Sequence, residues 1–464
     1  MINFTQKYCH ILTIIVLTSL VAACGSKSNT TTSSTSPSVF YSHSVALRNN
    51  TTLAWGANTY GQLGNGDSTG VNQYVPVPVT MTNVTGVMIG VSAGETHTLG
   101  FTDAGNVYAW GNNGFGQLGD NSNTIRWAPI QVYSDPTTTP VTYLTGVLAV
   151  SAGGSHSLAI GSGNIVWAWG DNTYGQLGDT SLATASRLFA GQVKDSANAP
   201  FAQVYGISAG ARHSLAIVGK DANGRANGTA FTWGYNASGQ LGRQPDATFG
   251  NLSTSTNSNV PVQVVIRDAS TNPASYTALQ NVTAIAAGGV HSLFLLADGT
   301  VWACGYNALG QLGVGDTIDR RHGVVHVLTD VNNAAFTGIG AVAAGLDHSL
   351  ALRPSDGSVW AWGFNKFGQL GNGVQNAAFT PTAKPVQVHT NETGNPPLLG
   401  IVKIVAIGHH SLAVDISGKL WAWGENTRGQ LGIAANDSTN QYYATPVSGF
   451  VPVTGRYDLY IPLL

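Results

Sequence analysis

Between residues 39 and 464, hydrophobic and polar positions alternate in short runs that Gly, Asn or Asp interrupts every few residues. One stretch shows the pattern: Val150-Ser151-Ala152, then Ser157-Leu158-Ala159-Ile160, then Ile165-Val166-Trp167-Ala168-Trp169. A period of two over four to six residues predicts half-buried strands, and the intervening Gly and Asn predict tight turns. The chain repeats this unit. Gly-Gln-Leu-Gly occurs seven times, at Gly61–Gly64, Gly116–Gly119, Gly175–Gly178, Gly239–Gly242, Gly310–Gly313, Gly368–Gly371 and Gly429–Gly432. Each copy follows a Trp-Gly or Cys-Gly pair. Self-similarity at this period means one supersecondary unit copied along the chain.

Within a unit the predicted order is four antiparallel strands, A to D. An Ala-Gly-x-x-His link turns A into B, a Gly-containing link such as Asp298-Gly299 turns B into C, and Asn-x-x-Gly-Gln-Leu-Gly turns C into D. Strand D is a Pro/Val segment such as Val260-Pro261-Val262-Gln263-Val264, which suits an outer edge because proline cannot donate to a ladder. The first unit opens at strand B, around His43. The C-terminal segments Thr445–Val447 and Phe450–Val453 are therefore expected to supply a strand to it and close the array. The expected fold is all-β: a seven-bladed β-propeller of four-stranded antiparallel blades.

Composition removes several functions. Charged residues are 9% of the chain and net charge is −2, with no basic stripe, so nucleic acid is not an expected partner. Only three glutamates occur (Glu95, Glu392, Glu425), leaving no pair for acid–base hydrolysis. Ser adjacent to His, as in His156-Ser157, cannot form a catalytic dyad, since neighbouring strand residues face opposite ways. No catalytic grouping, metal set or cofactor motif is found. The seven recurrent histidines are expected to cap the A–B turns through the backbone, not to bind metal, because they lack carboxylate partners.

The first residues read as an export signal. Lys7 and His10 precede an apolar run, Ile11 to Ala23, too short for a membrane span, ending in Leu20-Val21-Ala22-Ala23-Cys24. This resembles the lipobox of bacterial lipoproteins, which implies a signal peptide at 1–23, a diacylglyceryl thioether on Cys24 and a cell-envelope, outer-membrane location. Residues 24–38 are Ser/Thr-rich and read as a tether, with the propeller spanning 39–464. Cys9 would leave with the signal and Cys304 would stand alone, so no disulfide is expected.

The combined pattern of Ala-Gly-x-x-His-Ser-Leu, Trp-Gly and Gly-Gln-Leu-Gly resembles the regulator of chromosome condensation family of repeats, over residues 39 to about 455. That resemblance implies a seven-bladed propeller. It implies little about activity, because members include a nuclear exchange factor, a plant UV-B receptor and a secreted β-lactamase inhibitor.

Function is therefore sought where the copies differ. Before Gly-Gln-Leu-Gly stand Tyr60, Phe115, Tyr174, Ser238, Leu309, Phe367 and Arg428, and the A–B turns carry Glu95, Arg212, Asp347 and His409. By strand parity both turns share one face. Tyr60, Phe115, Tyr174, Phe367, Arg428, Arg212 and Asp347 are the candidate contacts for a protein partner at the envelope. The fourth copy is also expanded, by polar residues in Gly219–Arg225, Arg243–Asn259 and Arg267–Tyr276. The expected function is a lipid-anchored, monomeric, non-enzymatic interaction scaffold. A carbohydrate-active or glycan-binding envelope protein and, by family analogy, a guanine-nucleotide exchange factor are the alternatives.

Overall fold

The computed structural model describes residues 42–244, 256–268, 275–329, 332–375, 380–450 and 459–460. The predicted signal, Cys24 and the tether lie outside the described residues. The architecture is all-β and propeller-like. Among the described residues, five sheets are four-stranded and antiparallel. The fourth and fifth repeats join into one ten-stranded sheet through the pairing of Gly228 with Val282, and Val265–Asp268 adds in parallel to strand D of the fifth. The second repeat shows the order: A Met88–Ala93, B His97–Thr102, C Val107–Gly111 and D Arg126–Gln131. In the first repeat, B (His43–Arg48), C (Thr51–Gly56) and D (Gln73–Pro78) are joined by a short strand, Leu459–Tyr460, paired to Leu47 and Arg48. Of the segments expected to supply that strand, residues 451–453 lie outside the described residues and the rest is placed elsewhere. Gln441–Pro446 is strand D of the seventh repeat, and Phe450 packs against the Trp55 ring at 5.8 Å.

Two glycines of the repeat have a spatial cause. The Gly after each strand-C Trp, or after Cys304 in the fifth repeat, takes a positive φ, from 99° at Gly170 to 112° at Gly305, beside a register shift between C and D. A Cβ on Gly170 would also sit 2.6 Å from the Ser155 carbonyl oxygen. The Gly of Ala-Gly-x-x-His makes room for the imidazole: a Cβ on Gly210 would lie 2.5 Å from His213 Cε1.

That imidazole does not cap its own turn. Its Nε2 reaches the hydroxyl of the next repeat: His43 to Thr98 (2.7 Å), His97 to Ser157 (3.0 Å), His156 to Ser214 (2.9 Å) and His213 to Ser292 (2.9 Å). The series continues with His291 to Ser349 (3.0 Å), His348 to Ser411 (2.9 Å) and His410 back to Ser44 (2.8 Å). Each hydroxyl in turn donates to the glutamine carbonyl of the preceding Gly-Gln-Leu-Gly, as Ser157 does to Gln117 O at 2.8 Å. With its proton committed there, the hydroxyl accepts from His, so Nε2 carries the hydrogen. The backbone-capping expectation is corrected: the histidines tie one repeat to the next. Adjacent His and Ser do face opposite ways, as parity required.

The strand-C tryptophan uses the same carbonyl. Trp55, Trp110, Trp169, Trp233, Trp362 and Trp423 are fully buried, and each indole N–H donates to a preceding glutamine carbonyl at 2.8 to 3.0 Å. In the fifth repeat Cys304 takes this place, its Sγ 3.5 Å from Gln240 O, and burial pushes its thiol well above the ordinary range. Such a thiol is inert. Apolar side chains of neighbouring sheets fill the space between, for example Leu158, Ile207 and Trp233 in one cluster.

Burial holds the seven imidazoles neutral. It lowers His43, His97, His213 and His410 to about 3 and His156 and His291 to about 4; nearby His groups push several down further, and Asp171, Asp347 and Glu425 oppose weakly at His156, His291 and His410. His348 is likewise held well below 6.5. A histidine with a depressed folded pKa stabilises above its unfolded value and loses that stability as pH falls. Between pH 6.5 and about 4 each should cost about 1.4 kcal/mol per pH unit, and the seven act together. Tryptophan fluorescence against pH should show a steep cooperative unfolding in that window. A fold unchanged at pH 4 would contradict the tie. Ser157→Ala, which strips His97 of its acceptor, should cost about 1–3 kcal/mol in urea titrations.

Candidate functional site

The framework holds both variable turns in fixed positions. In each C–D turn the Asn side chain accepts the leucine N–H, as Asn172 Oδ1 does from Leu177 at 3.0 Å, and the Gln side chain accepts from the residue before the motif. Asn, Gln and Leu are buried, with the Asn and Gln side-chain oxygens committed to the turn. Nε2 of Gln117, Gln240, Gln311, Gln369 and Gln430 has no hydrogen-bond partner. The residue before the motif is left to vary at the surface.

Tyr174 and Arg212 meet. Arg212 Nη1 donates to Tyr174 OH at 3.1 Å and its guanidinium lies 5.1 Å from the ring centre, while Tyr235 packs edge-on at 4.7 Å. This contact places the A–B and C–D turns on one face, as parity predicted. Half-buried Glu95 belongs to the same arc: burial raises its carboxyl to about 7, against the opposing pull of Arg212.

Phe367 and Asp347 are joined through His409. The Phe367 ring stacks on the His409 imidazole at 4.9 Å and 28°, with Phe364 at 5.9 Å. Asp347 Oδ2 lies 3.7 Å from His409 Nε2 and Glu425 Oε2 lies 3.4 Å from Nδ1. Burial alone would lower the His409 pKa; the two carboxylates outweigh it and raise it. Glu425 moves down, its burial outweighed by His409 and by the Thr427 hydroxyl, which donates to Oε1 at 2.8 Å.

Phe115 stands differently, 46% exposed. Tyr60 and Arg428 are half-buried at the same turn position of the first and seventh repeats. The position after Trp-Gly was missed by sequence reasoning. Ala57, Asn112, Asp171, Tyr235, Tyr306, Phe364 and Glu425 occupy it, so three aromatics and two carboxylates are among them. Its variability from copy to copy was the available signal. Among the described residues, no group of three or more His, Cys, Asp or Glu is placed to hold a metal ion.

Arg212→Ala should raise the Glu95 pKa further, observable by carboxyl NMR titration. Glu95→Gln removes a carboxylate that is costly to ionise, so it should raise Tm at pH 8 and raise it by less at pH 6. A Tm gain equal at both pH values would contradict the assignment.

Comparison with known proteins follows this geometry. Residues 134–456 match the RCC1-like domain, and residues 49–100, 104–160 and 89–117 match the regulator of chromosome condensation (RCC1) repeat. The ultraviolet-B receptor UVR8 of Arabidopsis thaliana is 30% identical over 409 residues, 86% of this chain and 78% of that protein. The probable E3 ubiquitin-protein ligase HERC6 of Homo sapiens is 33% identical over 60% of this chain but only 24% of its own length. Among solved structures, human WBSCR16 superposes with a TM-score of 0.64 at 23% identity, covering 86% of this chain and 94% of that one. Yeast RCC1 (Prp20), solved bound to Kap60, gives 0.63 at 19% identity, covering 91% and 90%. Those structures establish the fold.

Proposed function

Since the chain belongs to the RCC1-like repeat family, we propose that it is a non-enzymatic protein-interaction scaffold whose seven repeats close into a seven-bladed ring. Its working surface is the face of A–B and C–D turns. In the same reading it is carried as a lipoprotein at the bacterial envelope through Cys24, which the lipobox-like sequence Leu20–Cys24 supports.

One observation carries the binding reading. The turn residues freed from structural duty are aromatics and charges, among them a Phe115 left 46% exposed and a Tyr174–Arg212 pair, on a framework whose polar groups are tied internally. Tyr, Phe and Arg on a rigid support are the composition of interface anchors, because they bury large area while losing little conformational freedom. Closure is supported by the His410–Ser44 bond and the pairing of Leu459–Tyr460 with the first repeat. Binding of Kap60 by the similar yeast protein shows that this fold can serve protein recognition.

Affinity purification of the full chain from its native envelope should bring down a stoichiometric partner. Changing Tyr60, Phe115 and Tyr174 together to Ala should weaken its capture by about 30-fold or more, with the thermal midpoint nearly preserved. A partner retained by the triple variant, or none at all, would sink the reading. Separately, Cys24→Ser should move the protein from the membrane fraction to the soluble one; an unchanged distribution would remove the anchor from the proposal.

A further inference from the structure

The end of the molecule opposite the turn face holds a cavity of about 510 Å³ between the second, third and fourth repeats. That volume lies within the range of small-molecule sites. It is bordered by the B–C turns at Asp103–Gly105 and Ser162–Asn164, so it shares no residue with the candidate partner face. Its walls combine apolar groups, Ile89, Phe101, Leu148, Ile160 and the ring of Tyr205, with polar ones, Thr102, Ser162 and Asn164 among them. Leu148 is 51% exposed although it lines a concavity.

The expansion of the fourth copy reaches this cavity. Its strand B runs His213–Lys220 and its strand C Ala226–Gly234, eight and nine residues where the third repeat has six in each. Two to three extra residues extend the hairpin by about 7–10 Å, and bring Lys220 and Gly224 to the cavity wall. The extension is held in place. Asp221 Oδ1 accepts the Asn223 and Arg225 amides at 2.8 and 2.9 Å, and Gly228 pairs with Val282 of the fifth repeat. The Lys220 ammonium lies 5.2 Å from the centre of the Tyr205 ring, so an exposed cation sits above an aromatic surface. Asp103 also borders the cavity, with its Oδ1 accepting the Val87 N–H at 2.9 Å.

We propose that this cavity binds a small amphipathic anion. A flat or chain-like apolar body would cover Leu148, Ile89 and Tyr205, and its carboxylate or sulfonate would pair with Lys220. An uncharged apolar ligand would forgo charge pairing with that ammonium, and a purely polar anion would leave the apolar part of the wall wet. The fourth-copy hairpin is thus assigned a purpose that length alone did not reveal: it supplies the cation of the site.

The test uses the full chain and the dye 8-anilino-1-naphthalenesulfonate, read by calorimetry and fluorescence. One dye should bind per chain. Lys220→Gln should weaken binding about tenfold. Leu148→Asp should weaken it at least tenfold, and Tyr174→Ala, on the opposite face, should leave it unchanged. Decanoate should displace the dye, and the neutral alcohol decanol should do so at least tenfold less well. Thermal midpoints establish that the variants stay folded. Binding that ignores both cavity variants, or displacement by decanol as strong as by decanoate, would overturn the proposal. Neither result bears on the partner face, which shares no residue with the cavity.

Discussion

The carbonyl oxygen of the glutamine in each Gly-Gln-Leu-Gly turn offers two lone pairs, and in most repeats the following repeat uses both. Ser157 and Trp169 meet on Gln117, Ser214 and Trp233 on Gln176, Ser349 and Trp362 on Gln311. The hydroxyl, its proton spent there, then receives the imidazole of the preceding repeat. One acceptor therefore fixes a serine rotamer, a histidine tautomer and an indole at once. These groups are buried, where an unmade hydrogen bond is costly, so the tie helps fix how neighbouring sheets pack, although Nδ1 of each of the seven histidines stays buried without a hydrogen-bond partner. The fifth repeat shows what a substitution does: Cys304 keeps the volume apolar but leaves Gln240 with a strong donor from Ser292 alone and a weak thiol at 3.5 Å.

A framework secured by internal polar ties needs little from its surface. That accounts for a chain with 9% charged residues and for turn positions that differ freely between copies. The two clusters on the turn face illustrate the freedom. Tyr174, Arg212 and Tyr235 form a half-buried aromatic–cation group. Asp347, His409 and Glu425 form a buried charged group beneath Phe367. Both rise from the same pair of turns, although the seventh repeat links A to B with two residues, Gly408 and His409, where the fourth uses three.

Much of the fold was legible in the sequence because a strand pattern copied seven times averages out local ambiguity. Strand order, the edge position of the Pro-containing strand D and the shared face of the two turns all follow from period and parity. The histidine bonds were not legible. Their partners lie more than fifty residues away, and nothing in Ala-Gly-x-x-His-Ser distinguishes a bond to the local backbone from one to the next repeat. The role of Thr445-Pro446 was hidden for a similar reason: it looks like any other strand D, and it is one, of the seventh repeat. Of the site, the sequence revealed Tyr174, Arg212, Phe367 and Asp347 as variable, but not that Tyr174 meets Arg212 or that His409 joins the other two. Glu425 was hidden by its position after Trp-Gly, which reads as part of the motif. The cavity was invisible for a different reason, since its walls come from three repeats and only folding assembles them.

The His–Ser bonds run in one sense only. Every repeat offers an imidazole and a carbonyl forward and presents a hydroxyl, with an indole or thiol, backward, so any two copies are chemically complementary in order. The threonine at Thr98 works as well as the serines. A gene encoding such a unit can lengthen by in-frame duplication of one copy, since the newcomer finds its donors and acceptors already waiting on both sides. Drift then falls on the turns and on additions such as the fourth-copy hairpin, which lets new recognition arise one module at a time while the rest of the molecule stays as it was.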